Sequence, residues 1–268
     1  MKIPVLTYHA NNITGNEYQT NDLVALKQDL RLFDELDMTI ISSHILVQWL
    51  KQEINLDKSK NYLVLTFDDG TELDFWDWQH PYQGFQKSAY TLMKEFQTAT
   101  RRYIHATSFV IASPEVRATL EKTCLAGHKI WGDAWWQEAE NSSIMSIENH
   151  SWDHVHETIE HVYQKDNIKG DFSVIDTQEE AKQQIVEASK YINSKIKNKS
   201  VSLFAYPYGD INDFLTENFL QNHENGIAGA FTCVPQHTYQ DTHRWKIPRY
   251  VCGADWKNIN ELRTILQS

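Results

Sequence analysis

Two adjacent carboxylates, Asp68 and Asp69, sit in the stretch Thr66-Phe67-Asp68-Asp69-Gly70, directly after the apolar run Tyr62-Leu63-Val64-Leu65. Side chains alternate along a strand, but at a strand end a turn can bring two neighbours into one cavity, and Gly70 allows the backbone to make that turn. Close carboxylates repel each other, and a divalent cation beside them removes the conflict. Alone, Asp-Asp-Gly reads as a solvated turn. His150 and His154, four apart in His150-Ser151-Trp152-Asp153-His154, shift that reading. On a helix both imidazoles would lie on one face and chelate one ion. One carboxylate and two imidazoles leave coordination positions open for water, and zinc, cobalt, nickel and iron all accept such donors. The spare carboxylate is then a candidate base for hydrolysis. His156 and His161 follow closely, so His150 with His156 is a competing pair, while Asp153 reads as a solvated neighbour. A third segment, Leu203-Phe204-Ala205-Tyr206-Pro207-Tyr208-Gly209-Asp210, runs a strand into a rigid proline and a tight turn. Such a turn can present a backbone N–H, that of Tyr208, to a developing oxyanion. In isolation it is an ordinary strand exit.

These residues need elements to hold them. Strand-like runs fall at 3–8, 39–42, 62–67, 106–111, 144–148, 201–205, 228–232 and 246–248. Helical periodicity covers 23–36, with Asp22 as its N-cap, and then 45–53, 87–98, 114–125, 177–196 and 258–266. The helix over 177–196 is the clearest, opened by Thr177 and Glu180 in capping-box spacing. Strands alternating with helices predict an α/β fold, a parallel sheet covered by helices. Several strand ends carry the polar residues of interest, as on the active face of a barrel. The chain shows no repeat, low-complexity tract or linker, so 1–268 reads as one domain. Parts of 71–143 read as insertions near the site mouth. There Asp74-Phe75-Trp76-Asp77-Trp78 and Trp131-Gly132-Asp133-Ala134-Trp135-Trp136 mix aromatics with acids, a pattern that a satellite hydrophobic cluster would also produce.

The 41% apolar composition supports a sizeable core, and a formal charge of −11 excludes nucleic acid as the main partner and disfavours anionic membrane. A neutral or cationic substrate is compatible with that charge. No run approaches the ~20 apolar residues of a membrane span. With Met1 as the native start and no signal peptide visible, the protein is expected in the cytoplasm; otherwise it is a secreted protein whose signal has been removed. Cys124, Cys233 and Cys252 are too few and too scattered for a disulfide framework.

Thr66–Gly70, Asn149–His154 and Phe204–Gly209, in this order and spacing, resemble the first three motifs of the polysaccharide deacetylases, the NodB-homology domain of carbohydrate esterase family four. The resemblance implies a distorted (β/α)7-type barrel and metal-dependent hydrolysis of an N-acetyl or O-acetyl group of a carbohydrate. By position it implies Asp69, His150 and His154 as ligands of a divalent metal, with zinc the expected ion and cobalt, nickel or iron compatible. Asp68 would be the catalytic base, and Tyr208 would supply the oxyanion N–H. Two features depart from the family pattern. Ala205 stands where an arginine usually orients the base, and no histidine follows Trp256 to act as the late general acid. Arg249, in Ile247-Pro248-Arg249-Tyr250, can replace that arginine from another strand, unless it forms a surface salt bridge. Val5-Leu6-Thr7-Tyr8-His9 ends the first strand on a histidine. That resembles the circularly permuted branch, which includes poly-N-acetylglucosamine deacetylases, and makes His9 the candidate acid.

Trp135, Trp256 and Tyr206 are the candidate substrate-contacting aromatics. Asp255 and Trp256 match the family's fourth motif only loosely. Two other functions fit the same residues: hydrolysis of C–N bonds in cyclic amides on the same fold, and a catalytically silent carbohydrate-binding protein. Retention of Asp68 speaks against the second, since a pure binder has no use for a base beside a metal.

Overall fold

The computed structural model describes every residue except Ala126 and Asn198, and of His223 the backbone alone. Its centre is a curled, fully parallel sheet. β1 (Val5–Tyr8), β3 (Asn61–Phe67), β6 (Ala106–Val110), β7 (Met145–Asn149), β8 (Leu203–Ala205) and β9 (Gly229–Phe231) pair in that order, and β10 (Tyr250–Val251) pairs with the outer edge of β1. β2 (Met38–Ile40) pairs with the first half of β3. Between β9 and β1 the ring closes through residues 247–252: Thr232 N–H donates to the Ile247 carbonyl at 2.8 Å, and Cys252 N–H donates to the Thr7 carbonyl at 2.9 Å. The result is the distorted seven-stranded barrel that the family resemblance implies. The predicted strand at 246–248 is displaced: Ile247 makes a single bridge to Phe231, and the strand proper is β10. Pro248 has no N–H to donate, which keeps that segment from forming a longer ladder.

Register decides where the chemistry lies. Tyr8 is opposite Phe67, Phe67 opposite Ser108, Val110 opposite Asn149, and Asn149 opposite Phe204. The strands therefore end together, and His9, Asp68, His150 and Tyr206 all leave the sheet at one face.

Val5, Val64, Phe109, Leu203, Phe231 and Ile247 fill the barrel interior with the apolar face of α2 (Ser43–Leu50). That close approach needs Gly229, because a Cβ there would meet Val47 Cγ2 at 2.6 Å. The outer face of the sheet packs under α1 (Asp22–Glu35), α3 (Ala89–Thr100) and α8 (Ile259–Gln267). The N-cap of α1 is Asn21 rather than Asp22: its side chain accepts from Leu23 and Val24 N–H, and Asp22 is left free to bind elsewhere. The predicted helix over 177–196 forms as α6 (Gln178–Ala181), a π-helical turn (Lys182–Glu187) and α7 (Ala188–Lys195), and its capping box is present.

Much of 71–143 belongs to the barrel, since α3, β6 and α4 (Pro114–Thr123) lie within it. Outside the barrel it adds a small antiparallel pair, β4 (Trp78–His80) with β5 (Gly84–Gln86), and a short helix, α5 (Trp136–Asn141). Trp135 and Trp136 are fully buried in the same cluster as the outer barrel face, with Trp76 and Trp78 packed against it. Trp135 and Trp136 are therefore core, whereas Trp131 belongs to a different cluster. No described helix is long and apolar enough to cross a membrane.

Candidate active site

The common strand-end face opens into a cavity of about 470 Å³ whose lining includes His9, Asp68, Asp69, His150, His154 and Tyr208. At its base, one donor atom from each of Asp69, His150 and His154 lies within 4.8 Å of the others. Asp69 Oδ1 stands 3.8 Å from His150 Nε2 and 3.9 Å from His154 Nε2. Asp69 Oδ2 turns the other way, toward Asn11 Nδ2 at 3.4 Å.

The histidines meet by a route other than the helical one. Residues 150–155 form a turn in which Ser151, His154 and Val155 have φ of 74°, 60° and 47°. Buried amides pin it. Asn149 Nδ2 donates to the Ile185 carbonyl and to Ser189 Oγ, both at 2.8 Å, while its Oδ1 accepts from Ser151 N–H at 2.7 Å. Gln184, on the π-helical turn, accepts from Trp152 and Asp153 N–H and donates to Asp153 Oδ1 at 2.7 Å. The wide turn in that helix thus supports the loop that carries the imidazoles, a common use of π-helical turns. Asp153 is not solvated. It is buried, accepts from Val155 and Tyr163 N–H, and holds the turn closed. His156 lines the cavity further out, its ring centroid 5.7 Å from that of His154.

The donor set fits a divalent cation. His150 Nδ1–H donates to the Ala205 carbonyl at 2.9 Å, which fixes the tautomer and leaves the Nε2 lone pair facing Asp69. Within the described residues His154 makes no side-chain hydrogen bond, and its Nδ1 is buried without a partner. Burial depresses both imidazole pKa values, that of His154 strongly; Asp68 and Asp69 pull His150 back up only in part. Both rings are therefore neutral near pH 7, the protonation state that a ligand needs.

Asp68 has a different setting. It is nearly fully buried, and Arg249 grips both its oxygens, Nη1 to Oδ1 and Nη2 to Oδ2, each at 2.7 Å. Arg249 is itself fully buried, with Nε donating to the Thr232 carbonyl at 2.9 Å and Nη1 to Thr66 Oγ1 at 3.3 Å. A surface salt bridge is excluded for this residue. Burial alone would raise the Asp68 pKa, but Arg249 and the nearby His150 and His9 outweigh it and hold the carboxyl well below the usual carboxylate range. His9 enters from β1, its N–H bound to Asp22 Oδ2 at 2.9 Å. Tyr208 has φ 60° in the turn after Pro207, and its ring meets His154 edge-on at 4.5 Å.

The three aromatics expected to touch substrate do not reach the cavity. Tyr206 is fully buried with its hydroxyl on the Trp245 carbonyl at 2.9 Å, Trp256 packs edge-on against Tyr8, and Trp135 lies in the core with Nε1 on the Gly132 carbonyl. Trp131 stands at the cavity instead, its indole Nε1 donating to the Asp69 carbonyl at 3.0 Å. Trp131 and Asn11 carry no site role in the sequence reading, and His156 enters it as the competing partner of His150; a position two residues past His9 was the available signal for Asn11. Asp74 also escaped that reading. It is fully buried, bonded to Ser108 Oγ, and its pKa is pushed well up by burial and by the charges of Asp69 and Asp68.

The sequence matches the family model described as polysaccharide deacetylase over residues 55–223. That span includes Asp68, Asp69, His150, His154 and Tyr208, and leaves His9 and Arg249 outside it. No curated protein matches the chain by sequence. Among solved structures, the Streptococcus pyogenes deacetylase PplD, determined in complex with acetate, is similar over 100% of this chain and 99% of its own, at 18% identity and a TM-score of 0.67. IcaB from Ammonifex degensii is similar over 100% and 97%, at 16% identity and a TM-score of 0.68. A de-N-acetylase from Aggregatibacter actinomycetemcomitans is similar over 99% and 100%, at 16% identity and a TM-score of 0.65. At these identities the likeness is one of fold.

Proposed function

The chain belongs to the polysaccharide deacetylase family, and on that premise we propose that it hydrolyses acetyl groups from an N-acetylated or O-acetylated carbohydrate with the help of a bound divalent cation, zinc being the expected ion. The observation that carries this reading is the convergence of Asp69, His150 and His154 donors within 4.8 Å beside a carboxylate that two 2.7 Å bonds hold in its anionic form. Asp69, His150 and His154 would hold the cation, which would supply Lewis acidity to the hydrolysis. Asp68 accepts the proton of the attacking water. Arg249 keeps it charged and aimed, the task that Ala205 cannot perform. The Tyr208 N–H donates to the tetrahedral oxyanion. His9 gives a proton to the departing nitrogen, because an amine leaves poorly as an anion; general acid–base help of this kind is worth ~10²–10⁴-fold. Acetate and a free amine result. We assign residues 1–268 to this one catalytic domain, with a carbohydrate as the substrate partner.

Acetate release from N-acetylated chito-oligosaccharides and from an acetylated chromogenic ester tests this. Release is expected with zinc, loss on chelation, and recovery on adding zinc back. No release from any N-acetyl or O-acetyl substrate, with cation present and the protein folded, would refute it.

A further inference from the structure

We infer that Trp131 is a positioning residue for Asp69, and that a closed ring of hydrogen bonds through residues 129–133 sets the backbone from which that carboxylate projects, an inference that rests on Asp69 acting as a cation ligand.

Asp69 has φ 75°, in the left-handed region, and so does Gly70 at φ 73°. An L-residue there costs ~1–2 kcal/mol, and such a conformation persists only where its surroundings over-determine it. Space fixes Gly70, since a Cβ there would meet Val110 Cγ1 at 2.4 Å. Hydrogen bonds fix Asp69. Its carbonyl accepts from Trp131 Nε1 at 3.0 Å and from Ile111 N–H at 3.3 Å. The Ile111 bond is long and comes from the strand end. The Trp131 bond is the shorter, and it comes from a separate segment.

That segment is held on both sides. Glu72, three residues beyond Asp69, donates its N–H to the Ile130 carbonyl at 2.7 Å and accepts from Gly132 N–H through Oε1 at 3.2 Å. The path 69–72–130/132–131–69 is thus a closed ring. Behind it, buried Arg117 donates Nη1 to the Trp131 carbonyl at 3.0 Å and Nη2 to Asp133 at 2.9 Å, and its guanidinium lies 4.9 Å from the Trp136 ring centroid. Glu121 accepts from Ile130 N–H at 2.9 Å. Only 6% of Trp131 is exposed. A sugar platform needs an open ring face, which that exposure excludes, whereas a buried indole with its N–H on a ligand's carbonyl suits a support. Supports of this kind typically change metal affinity 10–100-fold when removed.

Competition against a chromophoric chelator measures zinc affinity directly, without turnover. Trp131→Phe keeps the ring and deletes the N–H; it is expected to weaken zinc binding about tenfold or more, with kcat reduced and KM retained. Glu72→Ala opens the ring at a half-buried position and leaves Trp131 in place. Its loss of affinity is expected to be smaller, with the zinc-free melting temperature near that of the parent, and it decides the question if Trp131→Phe does not fold. Asp69→Ala is the control. Loss of zinc in Asp69→Ala with parental affinity in the Trp131 and Glu72 variants overturns the positioning role alone. Parental affinity in Asp69→Ala overturns the ligand assignment and the inference with it.

Discussion

Replacing Arg249 by alanine isolates what the guanidinium does for Asp68. The structure sets the scale. Two charge-assisted bonds of 2.7 Å disappear, and a carboxylate only 3% exposed is left without its main partner. Breaking a buried ion pair from one side typically costs ~3–5 kcal/mol. For a chain of this size, at roughly 2–4 °C per kcal/mol, the melting temperature should fall on the order of 10 °C. The chemical effect follows from the same deletion. Burial, the largest influence on Asp68, then acts against fewer opposing charges and drives the pKa up. A raised acid is protonated at low pH and freed as pH rises. Activity of the variant, taken as a ratio to the parent's at each pH, should therefore be low at neutral pH and climb toward alkaline pH. At neutral pH the expected loss is the base's contribution, ~10²–10⁴-fold. Adding Asp68→Asn to Arg249→Met removes both charges and should restore part of the lost stability but none of the activity. Thermal melts and initial rates across pH decide the matter. Arg249→Ala melting within about 1 kcal/mol of the parent, or showing the parental pH profile, would refute the claim that this buried pair sets the charge of the base.

Three further outcomes are expected. Asp68→Asn should retain zinc while turnover falls at least ~10²-fold, whereas Asp69→Ala should lose zinc itself; equal zinc content in the two, read by elemental analysis, would contradict the division of roles. His9→Ala should slow amide hydrolysis by ~10²–10⁴-fold but scarcely affect an activated ester, whose leaving group departs without a proton; an equal effect on both substrates would remove His9 as the acid. His105, buried at the start of β6, has its pKa lowered from 6.5 to about 3, chiefly by burial and then by His44 and Lys199. The unfolded chain binds this proton below pH 6.5 and the folded chain does not, so stability falls as pH drops from 6.5 toward 3, by about 2 kcal/mol at pH 5. His105→Leu should flatten that part of the stability curve in urea melts at pH 7 and pH 5.

The barrel strands were legible because their runs are short, apolar and bounded by turn residues, and the alternation with helices fixed the class of fold. The displaced last strand was not, because Val251 and Tyr250 take their ladder from β1, nearly the whole chain away. Asp69, His150 and His154 were legible as residue types at a telling spacing. The path that joins the histidines was not, because Ser151–Val155 has no periodicity and depends on Asn149 and Gln184 reaching in from other elements. Arg249 was named as a candidate, yet a partner 181 residues away leaves no local trace that separates a buried clamp from a surface ion pair. The aromatics failed for a plain reason. Trp135, Trp256 and Tyr206 carry the same rings that a sugar platform would use, and only packing assigns them to the core.

Backbone conformation ties these points together. Asp69, His154 and Tyr208 each have positive φ, at 75°, 60° and 60°, and each lines the cavity. Ser151 and Val155, in the histidine turn, share that region; for a β-branched residue such as valine it is a true outlier. Sterics alone would favour glycine at these positions. A strand leaves the barrel pointing away from its axis, and the chain must reverse within a residue or two for a side chain to face inward. Asp69, Ser151 and Tyr208 follow the ends of β3, β7 and β8 by two or three residues, so part of the chain's backbone strain sits where donors from separate strand ends converge. The hydrogen bonds that offset it come from buried groups, Gln184 and Asn149 outside the cavity and Trp131 in its wall. Geometry at the centre is thus set by residues with no chemistry of their own, and substitutions there should alter cation affinity before they alter the fold.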